Sequence, residues 1–130
     1  MPHPNAATIE RAFSAFAEGD IGTVMSLWSD DFVWHVGGDN PLAKDYEGKE
    51  EAAGFLGALV QTTGGTFRAE LQNAIADDIN GYSLHKGSAT MDGDDLEELT
   101  VLEYRFRDGK ITETWTFDFD QRISDRILGG

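Results

Sequence analysis

The chain has 130 residues, 24 acidic against 10 basic side chains, a formal charge of −14 and no cysteine. That length suits one ordinary domain, and 40 % hydrophobic with 11 % aromatic residues are the proportions of a folded globule. The charge opposes approach to nucleic-acid phosphates or anionic lipid, and the missing cysteine excludes disulfides, thiolate metal sites and cysteine nucleophiles.

In chain order, Ala6, Ile9, Phe13, Phe16 and Ala17 keep the three-to-four spacing of one buried stripe and predict a first helix. Gly19 closes it in the left-handed conformation that glycine reaches without a Cβ clash. Asp20 then offers a side-chain oxygen as N-cap of a short second helix, along which Ile21, Val24, Met25 and Trp28 continue the stripe. Residues 32–36, FVWHV, read as a strand. A third helix is expected to begin near Gly48, with Glu50 and Glu51 complementing the helix dipole in the first turn. Ala52, Phe55, Leu56, Leu59 and Val60 share one face of it before Gly64 and Gly65 end it. From Thr66 onward, Asn80-Gly81, Asp92-Gly93 and Asp108-Gly109 are hairpin-turn signals that divide the chain into four antiparallel strands. Strand 32–36 joins the same sheet. Helices packed on one face of a curved sheet make the expected class α+β, in a single domain spanning residues 1–130.

The turns allow the two faces of the sheet to be counted. A two-residue turn at Asp108-Gly109 sets Phe106 opposite Ile111, Tyr104 opposite Glu113 and Leu102 opposite Trp115 on an inner face. Glu103, Arg105, Arg107, Lys110, Thr112, Thr114 and Thr116 then form a wetter outer face. Continued through Asp92-Gly93 with a two- or four-residue loop, the count adds Ser83, His85, Gly87 and Ala89 to the inner face; a three-residue loop reverses them. Counting on through Asn80-Gly81 puts Phe67, Leu71 and Ile75 outside with Tyr82 and Leu84. Either a bulge shifts that strand or a second subunit covers the patch, and a symmetric homodimer is the expectation drawn. Within FVWHV, Trp34 and Val36 share a face and His35 takes the other.

Three stretches carry a family resemblance: AEGDIGTVMSLWSDDFVWHV, GGDNPLAKDYEGKEEAAGFL and the closing YRFRDGKITETWTFDFD. Over roughly residues 5 to 120 the chain resembles the SnoaL-like branch of the nuclear transport factor 2 (NTF2-like) superfamily. That superfamily also holds ketosteroid isomerases, polyketide cyclases and limonene-epoxide hydrolases. The resemblance implies a cone-shaped α+β fold, a curved mixed or antiparallel sheet wrapped around three N-terminal helices, one apolar pocket and a homodimer. It does not transfer a known active site. The positions matching the isomerases' tyrosine, aspartate base and protonated aspartate are Ala12, Val36 and Leu102, none of which can move a proton. The positions matching the epoxide hydrolases' set are Trp34, Val36, Ser83, His85 and Thr116, of which only His85 is ionisable.

The residues themselves nominate His85, Tyr104 and Glu113 as the groups for chemistry. An imidazole on an apolar face is held neutral by desolvation and can accept a proton near neutral pH; the alternative is a core histidine bonded to a backbone carbonyl. Tyr104 and Glu113, facing one another in this register, could orient a polar ligand group. Trp34, Val36, Phe55, Ser83, Leu102, Trp115 and Phe117 would line the substrate cavity, though core packing alone would also explain the aromatic members. His3 falls in an expected mobile terminus, and Asp77, Asp78, Asp118 and Asp120 near strand ends are read as solvated, as is the run Asp92 to Asp95.

No GxSxG, phosphate loop, dinucleotide fingerprint or close histidine pair is present, so no metal or other cofactor is expected. No apolar run reaches the roughly 20 residues of a membrane helix, and MPHPNAATIERAF lacks the basic start and apolar middle of a secretory signal. The expectation is a cytoplasmic homodimer that binds a small hydrophobic, oxygenated molecule. Its chemistry would be an isomerisation or aldol-type cyclisation with His85 as general acid-base, or it would be a noncatalytic binding protein for the same class of ligand.

Overall fold

A computed structural model describes residues 3–130. Pro4 occupies the first turn of α1 (Pro4–Ala17), where its missing N–H costs nothing, and His3 Nδ1 accepts from the Asn5 N–H to cap it. His3 Nε2 also reaches Asp78 Oδ1 at 2.8 Å, so the terminus expected to be mobile is tied to a sheet turn at residue 3. Asp20 caps α2 (Ile21–Ser26) by accepting from the Thr23 N–H and hydroxyl. That helix is shorter than its apolar stripe, because Trp28 leaves it to begin β1 (Trp28–Val36). A register irregularity between Trp28 and Val33 lets Trp28 and Phe32 reach the core together, their rings stacked 4.5 Å apart. β2 (Lys44–Glu47), unforeseen from the sequence, pairs antiparallel with β1, and α3 (Lys49–Thr62) follows Gly48 directly.

The second half forms β3 (Arg68–Ala76), β4 (Asn80–Met91), β5 (Asp94–Arg107) and β6 (Lys110–Asp118), then α4 (Gln121–Ile127). The six strands lie in the order β2-β1-β6-β5-β4-β3, with only β1 and β6 parallel. This is an α+β fold with a mixed sheet. α1 packs on β3 and α3 on β1 and β2, and Ile9, Phe32 and Ile111, all essentially sealed from solvent, mark the centre of the core.

Two of the three turns are as counted. Asp92-Gly93 and Asp108-Gly109 are two-residue loops with both residues at positive φ, the type I′ geometry that matches strand twist. The third differs. The turn runs through Asp77 to Ile79, held by Asp77 Oδ1 accepting from the Ile79 and Asn80 N–H groups, while Asn80 and Gly81 belong to β4. Glycine at 81 answers close packing instead, since a Cβ there would sit 2.8 Å from Phe106 and 3.1 Å from Ile9.

Two bulges decide the faces. Between Leu71 and Asn73 the β3 register slips by one residue, so Leu71 pairs with His85 and faces inward while Ile75 pairs with Tyr82 and faces out. Phe67 likewise packs inward, against Phe16. In β6, Ile111 pairs with Phe106 but Glu113 pairs with Arg105, leaving Thr112 as the extra residue, its hydroxyl on the Arg105 carbonyl at 3.3 Å. The remainder of β6 is thereby reversed: Thr114 and Thr116 turn inward, and Glu113, Trp115 and Phe117 turn outward.

Candidate functional site

On the inner face, cross-strand pairing aligns Leu71 with His85, His85 with Thr100 and Thr100 with Asp118, which puts four strands' residues on one rung. Glu98 stands one inward position along β5 and pairs with Gly87, where a Cβ would meet the Phe67 ring at 3.5 Å and His85 Nε2 at 4.0 Å. The neighbouring rungs carry Leu102 with Thr116, and Tyr104 with Thr114. These side chains look into a cavity closed by Ala12, Phe13 and Phe16 from α1, Phe55, Leu56 and Leu59 from α3, Trp28, Trp34 and Val36 from β1, and Ser124, Ile127 and Leu128 at α4. Counted out to its open mouth, the space is about 980 Å³. Its wall is overwhelmingly apolar, with a few polar groups gathered on the sheet, as in sites for small organic ligands.

The polar groups form two clusters. In the first, Ser83 Oγ and Tyr104 Oη lie 2.8 Å apart and satisfy one another, and burial pushes the Tyr104 phenol up so that it keeps its proton. In the second, the Thr100 hydroxyl reaches Glu98 Oε1 at 3.2 Å and Asp118 Oδ1 at 3.0 Å, and Glu98 Oε2 accepts from the Asp120 N–H at 3.0 Å. Burial, then the hydrogen bond with Asp118 and its negative charge, push Glu98 up to about 8. Beside this pair, His85 is 8 % exposed, packs 5.2 Å from Phe13 ring to ring, and has no hydrogen-bond partner at Nδ1. Desolvation pulls it down to about 4 against the opposing pull of Asp118, so it is a neutral imidazole at pH 7. Among the described residues no three His, Asp or Glu side chains converge to hold a metal ion, and no helix is long and apolar enough to cross a membrane.

The structure gathers some of the expected residues and disperses others. His85, Tyr104, Trp34, Val36, Phe55 and Leu102 line the cavity. Ser83 is buried behind it and reaches it only through the Tyr104 hydroxyl. Glu113, Trp115 and Phe117 do not belong to it, because the Thr112 bulge puts them on the opposite face. There, His35 is held between Asp45 at 2.7 Å and Glu113 at 2.5 Å, stacked on Trp115, whose ring also carries the Arg105 guanidinium. Burial draws His35 down, but the bonds to Glu113 and Asp45 outweigh it and leave it raised. Thr100, Glu98 and Ser124 are cavity residues the sequence reading did not nominate, while Thr114 and Thr116 were counted on the outer face and Asp118 was read as solvated. One signal for Glu98 was available, since the turn that sends Gly87 inward also sets Glu98 opposite it.

A SnoaL-like domain matches residues 9–114, most of the chain. The chain belongs to the SnoaL-like family. Its architecture is correspondingly the NTF2-like cone, and three similar proteins place that likeness in context. This SnoaL-like protein is 24 % identical over 118 residues, 90 % of each chain, to the uncharacterized protein Rv0034 of Mycobacterium tuberculosis. Bal32a, from a soil-derived mobile gene cassette, is 28 % identical with a TM-score of 0.91 over 96 % of each chain. TerC, solved with polyporic acid, superposes with a TM-score of 0.84 at 20 % identity, over 98 % of this chain and all of its own, a likeness of fold alone. Ala12, Val36 and Leu102 lie on the cavity wall and contribute only apolar surface to it.

Proposed function

We propose that this SnoaL-like protein binds a small hydrophobic, oxygenated molecule in its cavity and moves a proton on it without a cofactor, as an isomerase or polyketide-cyclase-type enzyme. The observation that carries the reading is a buried, neutral His85 with an unpartnered ring nitrogen in a mostly apolar cavity. His85 removes a proton beside a substrate carbonyl, and Asp118 stabilises the imidazolium that forms. The hydroxyl chain from Ser83 through Tyr104 donates to the developing enolate oxygen, with Glu113 taking no part. Trp34 and Phe55, 5.2 Å apart and edge to face, supply a dry wall for the apolar part of the substrate.

Deuterium uptake beside the carbonyl of 2-tetralone in D2O, followed by NMR, tests this directly. The wild type is expected to accelerate exchange and His85→Gln to lose at least about a hundredfold of that acceleration. The rate should hold from neutral pH down to about 5 and fall toward 4, where His85 protonates. Equal acceleration by the variant would remove His85 from the chemistry. Binding without any acceleration would favour the second reading, a noncatalytic ligand carrier, which the apolar Ala12, Val36 and Leu102 support.

The protein is further proposed to work as a homodimer through the outer sheet face. Ile75, Tyr82, Leu99 and Phe117 are each exposed by more than a third there, on four adjacent strands. Sedimentation should give twice the chain mass, and Phe117→Glu should give the monomer; a monomeric wild type would end the proposal.

A further inference from the structure

The two pocket carboxyls bear on which ligands enter, and the inference rests on the small-molecule reading above. Glu98 and Asp118 both contact the single Thr100 hydroxyl, which has one hydrogen for two acceptors. They therefore lie close together, and no lysine or arginine is among the residues that line the cavity. Two like charges so placed cannot both ionise cheaply in an apolar wall, so the pair keeps one proton between its oxygens and carries one net negative charge. The Asp120 N–H fixes Glu98 Oε2, which leaves the partly exposed Asp118 as the outward-looking acceptor. A second observation points to a ligand in the same place. His85, cross-strand neighbour of Thr100, is more than nine-tenths buried and its Nδ1 is bonded to nothing.

We propose that the Glu98–Asp118 pair is the specificity anchor of the cavity, and that it selects hydrophobic ligands carrying a hydrogen-bond donor, a hydroxyl or phenol, while rejecting carboxylates of the same size. A hydroxyl donates to Asp118 and can still accept from the neighbouring imidazole, whereas a carboxylate brings a second uncompensated charge against the pair. The ionisable groups facing the pair are few: His85 from β4, neutral at pH 7, and Asp120 through its backbone at the start of α4. Asp118, Trp34 and Phe55 all line the cavity, so a ligand whose hydroxyl meets Asp118 has apolar wall for its body.

Calorimetry with 2-naphthol, 2-methoxynaphthalene and 2-naphthoate, run against the full-length protein at pH 7, tests the selection. 2-Naphthol is expected to bind at least tenfold more tightly than its methyl ether, and naphthoate at least tenfold more weakly than the ether. Asp118→Asn, checked for unchanged circular dichroism, should reduce the discrimination against naphthoate, whereas Glu98→Gln, which keeps the one negative charge on Asp118, should retain it. Equal binding of naphthol and ether by the wild type would overturn the selection while leaving the pocket reading intact. If none of the three binds, the pocket reading falls and the selection with it. The wild-type comparison stands even if a variant fails to fold.

Discussion

Replacing His85 with leucine is expected to stabilise the folded protein at pH 5 by about 2 kcal/mol relative to the wild type. The folded state holds this imidazole at about 4, against 6.5 for an exposed histidine, so between those values the unfolded chain binds a proton that the folded chain refuses. Stability from this group is complete above about 6.5 and is lost as pH falls toward 4. Leucine carries no such loss, is close to histidine in volume, and leaves no unsatisfied nitrogen against Phe13. Urea midpoints measured at pH 5 and pH 8 should therefore diverge between the two proteins at the lower pH. Parallel pH dependences would show that His85 is solvated, and would remove the buried base from the proposed chemistry.

Glu98→Gln is expected to act at the other end of the pH scale. Glu98 is raised from 4.5 to about 8, chiefly by burial and then by its bond to Asp118, so the folded state retains a proton that the unfolded chain releases. Stability from that group is full below about 4.5 and is lost as pH rises through 8. The amide can donate to Asp118 and accept from the Asp120 N–H without ever ionising. The variant should be more stable than the wild type at pH 9 by about 2 kcal/mol, with near equality at pH 4. That figure is held below the full shift because Asp118 is partly exposed and shares the proton. A wild type whose thermal midpoint is flat from pH 6 to pH 9 would count against a shared proton. Both site substitutions are expected to stabilise, and a fold keeps such unfavourable groups in a pocket where they serve a purpose other than stability.

Much of the inner face was legible. The Asp92-Gly93 turn is of a type whose residue count is set by its chemistry, so parity carried from β5 to β4 and placed His85 inward. The same parity, extended along β5, sets Glu98 inward as well, a step not taken because the nearby acidic run Asp92 to Asp95 read as solvated. β6 failed differently. A single bulged residue, Thr112, reverses every side chain after it, so Asp118 enters the cavity while Glu113, Trp115 and Phe117 leave it. The register it creates sets Arg105 opposite Glu113 on the outer face, a charge complementarity that could have argued for the bulge. α4 and β2, at seven and four residues, are too short to show a period, and only their docking on the cavity and on β1 stabilises them.

The sequence by itself determined the helical hairpin, the third helix, the type I′ turns and the family, because each rests on chemistry within a few neighbouring residues or on a pattern running the length of the chain. Tertiary structure alone decided which carboxyls meet. Glu98 and Asp118 are 20 positions apart in sequence and join at Thr100 only because β5 and β6 pair in the register a bulge imposes. A bulge is a choice among near-degenerate pairings, settled by how the whole inner face packs against α1, α3 and α4, and no local stretch of residues contains that information.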